Sequence, residues 1–375
     1  MPQKKLVIDD AIPYADAIFS HLGQITRLPG RDINAEHLKH ADALIVRSRT
    51  QVNAELLKNS TVQFVGSSVV GLDHIDQAWL AEQGIHFYSA QGCNANSVAE
   101  YVINGLFDMA EHKQWTLADK TLGIVGVGHV GKLLKQKADA LGIKTLLNDP
   151  PRARTEGEAG FCSLDHLLAT ADIVSLHTPL TQEGDHPSYQ LLNKHNMTLI
   201  KPDALLINAA RGGIIDEQAW LGLKNLANII DCWQGEPFIN PALYYKADIA
   251  TAHIAGHSLE AKVAGSEMVY RQLCAFWNIT PQTAWQHHLP DAPLALQHPK
   301  IDNEQQALAH IFKQTYDLRL DDQAIRSQRI EQVHAQFESH RRHYPIRREW
   351  AQHKLKKTSN KRLNQTLETL GFMLY

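Results

Sequence analysis

Three residues of this 375-residue chain are suited to moving a proton while a carbon centre changes oxidation state, and each follows a short apolar run. Arg211 lies in Ile-Asn-Ala-Ala-Arg-Gly-Gly (207–213), Glu236 in Asp-Cys-Trp-Gln-Gly-Glu-Pro (231–237) and His253 in Thr-Ala-His-Ile-Ala-Gly (251–256). Oxidising a 2-hydroxy acid needs a base for the hydroxyl proton, a cation for the carboxylate and an acceptor for the hydride. A histidine titrates near neutral pH and returns the proton in the reverse direction, so His253 fits the base. Arg211 presents a fork that clamps a carboxylate and polarises the neighbouring oxygen. Glu236 fits as the group that fixes the tautomer of His253 and favours its imidazolium. Taken singly, each has a plainer account: a surface arginine, a packed or solvated histidine, a Glu-Pro turn.

The hydride acceptor is signalled upstream. Thr121–Val125 reads as an apolar strand, and Gly126-Val-Gly128-His-Val-Gly131 then opens a helix that runs to about Leu141. In that setting Gly126 makes the tight turn, Gly128 lets a pyrophosphate approach the backbone and Gly131 lets helix and strand meet closely. The helix N-terminus offers unpaired N–H groups to the phosphates. A second strand, Ile143–Asn148, ends at Asp149, 18 residues past Gly131, where a ribose-binding acid is expected. A carboxylate there favours NAD over NADP, although Arg152 and Arg154 follow closely.

These motifs need two parallel sheets to position them. Residues 4–95 alternate short apolar strands (6–8, 43–46, 64–67, 85–88) with helices (14–21, 53–58, 75–83), which predicts a parallel sheet covered on both faces. Its strand ends carry Arg47-Ser48-Arg49 and Gly66-Ser-Ser68-Val69-Val-Gly71, groups suited to a carboxylate or phosphate. Ser97 is read as the cap of a long helix over 98–111, a natural hinge. The alternation resumes through strands at 173–177, 204–208, 228–232 and 248–250, with helices expected at 164–169, 193–199 and 216–223. A helix over 258–277 could return the chain to the first unit. Four prolines between 281 and 299 mark a wrapping segment, followed by a helix over 304–316 and an end, 367–375, read as a strand.

Composition bounds the rest. With 44% hydrophobic and 21% charged residues and a net charge of −3, the chain has a globular make-up and no pull toward nucleic acid or an anionic membrane. Residues 301–375 carry 13 Lys and Arg against 9 Asp and Glu, which reads as a solvated face. Cys93, Cys162, Cys232 and Cys274 are far apart, suggesting neither a metal site nor a disulfide framework. No secretory core or run of 18 apolar residues occurs, so a cytoplasmic protein is expected.

The order of a glycine fingerprint, an acid, then Arg211, Glu236 and His253 resembles the D-isomer-specific 2-hydroxyacid dehydrogenases, over roughly residues 4–280. Further matches are 46–50 (VRSRT), 66–76, 92–95 (GCNA), 146–152, 231–237 and 253–256, with Tyr316–Arg319 and Arg347–Trp350 resembling the C-terminal dimerisation segment of one branch. The resemblance implies an α/β protein of two doubly wound parallel sheets: a Rossmann NAD domain (97–256) inserted in a flavodoxin-like substrate domain (1–96 with 257–285). A small α+β dimerisation domain (286–375) would follow, giving a homodimer. It implies NAD contacts at Gly126, Gly128, Gly131, Asp149, Thr178, Ala209, Ala210, Arg211, Asp231 and Gly256. Substrate contacts are implied at Arg47, Ser48, Ser68, Val69 and His257, with Val69 standing where a threonine is expected and His257 where a tyrosine is. The implied substrate is a small phosphorylated 2-hydroxy acid. Rival readings are a dehydrogenase of 3-phosphoglycerate or glyoxylate type and a non-catalytic NAD-sensing binding protein.

Overall fold

The computed structural model describes residues 3–224, 226–326 and 329–375. Its chain forms two compact units, one of Met1–Asn94 with Ser258–Asp291 and one of Ala95–His257 with Ala292–Tyr375.

The first unit holds five parallel strands, β1 (Lys4–Asp9), β2 (Gly23–Leu28), β3 (Ala43–Val46), β4 (Phe64–Ser67) and β5 (His86–Ser89), in the order β2-β1-β3-β4-β5. β3 and β4 are buried along their whole length, as continuous apolar runs in a doubly covered sheet should be. β2 was not expected from its sequence, Gly-Gln-Ile-Thr-Arg-Leu, because an edge strand carries polar residues on its open side. The helix expected over 14–21 is shorter, Ala15–Phe19, and ends in a 3-10 turn. The one expected over 75–83 spans Gln77–Glu82, because the Asp76 carboxylate accepts from Trp79 N and caps it there. The helix Leu259–Phe276 covers this sheet, and at Gly66 a Cβ would lie 2.4 Å from the Val269 side chain.

The second unit holds six parallel strands, β6 (Thr121–Val125), β7 (Lys144–Asn148), β8 (Ile173–Leu176), β9 (Leu205–Asn208), β10 (Ala227–Ile230) and β11 (Ile249–Ala250), in the order β11-β10-β9-β8-β6-β7. The chain turns one way from β6 to β7 and crosses to the other side for β8. The switch point between β6 and β8 therefore lies beside the glycine turn, where such sheets bind ligands.

Three expectations for this unit are corrected. The long helix spans Ala95–Lys113, so Ser97 lies inside its first turn and does not cap it; its hydroxyl donates to Ala255 O at 2.9 Å. Residues 193–199 form only a 3-10 turn at Met197–Leu199, because Asn193 and Asn196 spend their side chains on nearby backbone. The end of the chain is mostly helix, Lys361–Leu370, closed by Gly371 at φ 104°, and only β13 (Met373–Leu374) pairs with β12 (Lys354–Leu355).

The basic C-terminal stretch is a solvated face only in part: Lys354, Lys356, Lys357, Lys361 and Arg362 are exposed, but other cations are drawn inward. Arg347 is only 7% exposed, Arg319 donates to Asp108 and Arg326 donates to Asp322. The helices Leu318–Arg326 and Val333–Arg342 pack here, and Phe312 stacks on Trp350 at 4.4 Å while meeting Phe107 of the long helix edge-on at 4.8 Å. No helix among the described residues is long and apolar enough to cross a membrane.

Candidate active site

The glycine turn after β6 divides its three glycines by what surrounds them. Gly126 has φ 85°, and a Cβ there would lie 2.8 Å from the backbone of His177 and Thr178. A Cβ on Gly131 would meet Gly126 O at 2.2 Å. Among the described residues, nothing beyond its chain neighbours lies within 4 Å of a Cβ on Gly128. Two of the glycines serve the fold, and the third keeps open a space in front of the helix His129–Ala140, whose N-terminus has no side-chain cap. That arrangement fits a dinucleotide pyrophosphate.

Asp149 closes this turn. One carboxylate oxygen accepts from Val127 N at 2.8 Å and the other from Arg152 N at 3.1 Å. Arg152 donates to Val127 O and to Glu156, and Arg154 donates to Asp185, so both cations after the acid already have partners. Neither arginine offsets the acid's charge for a second phosphate, and a carboxylate beside such a turn suits NAD.

Facing the turn across the switch point is the end of β8. His177 bonds through Nε2 to Ser175 Oγ at 2.8 Å, and burial pushes its ring down to about 3, so it is neutral. His177 Nδ1 and Thr178 Oγ1 are buried with no partner among the described residues. Thr178 was expected from sequence; His177 was missed, and its position at a strand end beside the switch point is the signal that could have found it.

The turns after β9 and β10 are pressed together. A Cβ on Gly212 would lie 1.9 Å from Trp233 O, so only glycine fits. Asn208 donates to both Arg211 O (2.9 Å) and Cys232 O (3.0 Å), fastening one turn to the other. Within this knot Ala209 and Ala210 are buried, and Arg211 Nη1 donates to Ala210 O at 2.7 Å.

Asp231 organises the next loop. It is 1% exposed, and its carboxylate accepts from Thr251 Oγ1 (2.6 Å), Ile254 N (2.8 Å) and Ala255 N (3.0 Å), while its carbonyl accepts from His253 N (2.8 Å). These bonds hold His253 at φ 53°, a left-handed conformation that costs a β-carbon-bearing residue energy and recurs at functional sites.

So held, His253 Nδ1 lies 2.5 Å from Glu236 Oε1, leaving Nε2 for another partner. Burial would raise the Glu236 carboxyl, but the His253 ring, Arg341 and Trp233 N together hold it below its ordinary value. The Cys232 thiol, pushed up mainly by burial, is acted on electrostatically by Asp231, Glu236, Arg211 and Arg341, which brackets these groups around one spot. A histidine, the carboxylate bonded to its ring and the Arg211 guanidinium therefore stand at the strand ends of one sheet.

Over 373 residues, 100% of this chain and 99% of the other, the sequence is 55% identical to the erythronate-4-phosphate dehydrogenase of Hydrogenovibrio crunogenus. The chain belongs to the erythronate-4-phosphate dehydrogenase branch of the D-isomer specific 2-hydroxyacid dehydrogenases. The dehydrogenase of the same description from Ruthia magnifica is 48% identical over 352 residues, 94% of this chain and 98% of the other. Residues 85–255 match the NAD binding domain of D-isomer specific 2-hydroxyacid dehydrogenases, and residues 289–371 match a domain of unknown function, DUF3410. Among solved structures, the NAD+-bound 3-phosphoglycerate dehydrogenase of Entamoeba histolytica superposes with a TM-score of 0.63 at 25% identity, covering 74% of this chain and 96% of that one. The chain is thus an NAD-binding 2-hydroxyacid dehydrogenase of two parallel sheets, as its motifs predict.

In this dehydrogenase the remaining expected residues are placed as follows. In the first unit Arg47 Nη1 donates to Ala11 O (3.0 Å) and lowers the buried Asp9, whose carboxyl burial raises overall. Ser48 is exposed, Ser68 Oγ donates to Val46 O, and the Val69 carbonyl accepts from Ser67 and Ser89 hydroxyls. In the second unit Gly256 follows the pinned Ala255, and the His257 ring meets Tyr344 edge-on at 5.5 Å. Tyr344 and Arg341, both in the 289–371 segment, were missed as site neighbours because helix 333–342 was not foreseen.

Proposed function

We propose that the chain oxidises C2 of 4-phospho-D-erythronate to give 2-oxo-3-hydroxy-4-phosphobutanoate, a step that feeds pyridoxal phosphate synthesis. The 2.5 Å His253–Glu236 pair at the strand ends of an NAD-binding sheet carries this reading. When bound, NAD accepts the hydride that leaves C2. His253 Nε2 takes the C2 hydroxyl proton, and the carbon–oxygen bond becomes a carbonyl as the hydride departs. Glu236 holds Nδ1–H toward itself and stabilises the imidazolium that forms. Arg211 binds the substrate carboxylate.

Gly128 lies against the pyrophosphate in the turn that Gly126 and Gly131 shape, and Asp149 binds the adenosine ribose. Thr178, Ala209, Ala210, Asp231 and Gly256 serve the nicotinamide half. Arg47, Ser48, Ser68, Val69 and His257 serve the substrate. The enzyme acts in the cytoplasm as a homodimer through residues 286–375, which sedimentation of the full chain tests against a monomer mass of 42.0 kDa.

The deciding experiment measures turnover of erythronate 4-phosphate, 3-phosphoglycerate and an unphosphorylated 2-hydroxy acid by the parent and by His253→Ala. We expect the four-carbon phosphate to give the highest kcat/KM and His253→Ala to lose about a hundredfold or more. Equal efficiency without the phosphate would sink the substrate assignment, and wild-type turnover by His253→Ala would sink the mechanism. NAD binding without turnover of any acid would instead favour the sensor.

A further inference from the structure

Of the three points where the chain passes between its two units, two are Asn94–Ala95 and His257–Ser258. Two side chains of the second unit join the backbone just inside these points. Ser97 Oγ donates to Ala255 O, 158 residues along the chain. Arg347, from the C-terminal segment, donates through Nη2 to Ser97 O (3.3 Å), to Ser97 Oγ and to Ala255 O (2.5 Å). Its guanidinium lies over the Tyr316 ring, 4.4 Å from the centroid.

Neighbouring residues reinforce the joint. Asn96 donates to Glu349 Oε2 at 2.6 Å, and Trp350 N donates to the Glu100 carboxylate at 3.2 Å. Tyr344 packs edge-on against His257 while its hydroxyl donates to Asp321 at 2.7 Å, an oxygen that Tyr316 also reaches, at 2.6 Å. The segment thus touches both ends of the stretch that leads from Ala255 out of the unit.

Ala255 is the informative residue. Its N–H is held by Asp231 and its carbonyl by Ser97 and Arg347, so one peptide-length piece of the His253 loop is fixed from both sides. Two residues earlier the backbone is at φ 53°, a conformation that persists only where surrounding bonds over-determine it. An arginine chosen for stability alone is a poor choice here, since burying a guanidinium is costly and Nη1 finds no partner among the described residues.

We propose that Arg347 is a positioning residue for the dehydrogenase reaction: acting through Ala255 O, it sets the loop that presents His253 to Glu236. The C-terminal segment then contributes to catalysis within its own chain. This inference rests on His253 being the base.

The test uses the full-length protein with Arg347→Lys, Arg347→Ala and Ser97→Ala beside His253→Ala. In Arg347→Lys and Arg347→Ala that retain the parent melting profile, kcat falls about 10- to 100-fold, the cost of a small misplacement of a reacting group. KM for NAD changes by a smaller factor than kcat, because the pyrophosphate and ribose contacts are untouched. Millimolar guanidinium restores part of the turnover of Arg347→Ala relative to an equal concentration of potassium salt. A purely stabilising arginine predicts no gain in turnover where the melting profile is already that of the parent, since millimolar guanidinium is far below denaturing concentrations. Ser97→Ala, which removes one link and no charge, loses kcat by a smaller factor and decides the matter if both Arg347 variants fail to fold. Parent kcat in folded Arg347→Lys, or in Ser97→Ala where that variant is the only one folded, would overturn the proposal. So would activity that only tracks the folded fraction and gains nothing from guanidinium. If His253→Ala retains turnover, the assignment of the base falls instead.

Discussion

His253 Nδ1 and Glu236 Oε1 stand 2.5 Å apart, their side chains 25% and 23% exposed, joined across two different strand-end turns. The pair exists because Asp231, five residues before Glu236, also holds the backbone of His253, Ile254 and Ala255. One residue after β10 thus anchors the histidine's loop, while Trp233 N donates to the Glu236 carboxylate.

Replacing Glu236 by Gln keeps the shape and removes the charge that stabilises the imidazolium. Turnover should fall about a hundredfold or more and the melting temperature at neutral pH should drop modestly, checked by steady-state kinetics and a thermal melt. The pH sign follows from the lowered Glu236 carboxyl. Its ordinary value is 4.5, so the stability it contributes is present above that pH and is lost only as pH falls through the lower folded value. Glu236→Gln should lack this acid-side loss.

Glu100 has the opposite sign. Burial pushes its carboxyl up to about 8, against Lys137 at 3.7 Å, Arg347 and Trp350 N, while Glu349 adds to the rise. The folded state then keeps a proton that the unfolded chain loses near 4.5, so stability falls as pH rises from about 4.5 to about 8. Urea denaturation across that range should show the decline, and Glu100→Gln should flatten it.

The strand-end positions of Arg211, Glu236 and His253, the glycine turn and most buried strands were legible because each is local: a strand end, a turn, an apolar run. β2 was not, since an edge strand exposes half of its side chains and begins with glycine. Ser97 was misread because its partner, Ala255 O, is 158 residues away and no local pattern announces it. The same reason hid Arg347 and Tyr344, which are buried within a basic, aromatic stretch that has the composition of a surface.

Asp231→Asn tests whether that carboxylate is structural as well as cofactor-directed. Asparagine keeps one acceptor oxygen and replaces the other with a donor, which leaves an N–H of Ile254 or Ala255 facing an NH2 group. We expect about 1–3 kcal/mol of lost stability in the NAD-free protein. Chemical denaturation with and without NAD separates the two roles: a loss seen only with NAD present would make Asp231 purely a cofactor contact.

The glycine turn makes a prediction that separates fold from ligand. Gly131→Ala would put a Cβ 2.2 Å from Gly126 O, a backbone atom that can move only by opening the helix from β6. It should lower the melting temperature of the NAD-free protein. Gly128→Ala adds a methyl to open space, so the NAD-free melt should stay near that of the parent. That methyl would occupy the room in front of the helix N-terminus, and NAD affinity should weaken about tenfold or more, measured by calorimetric titration. If Gly128→Ala binds NAD as the parent does, the pyrophosphate does not lie over Gly128.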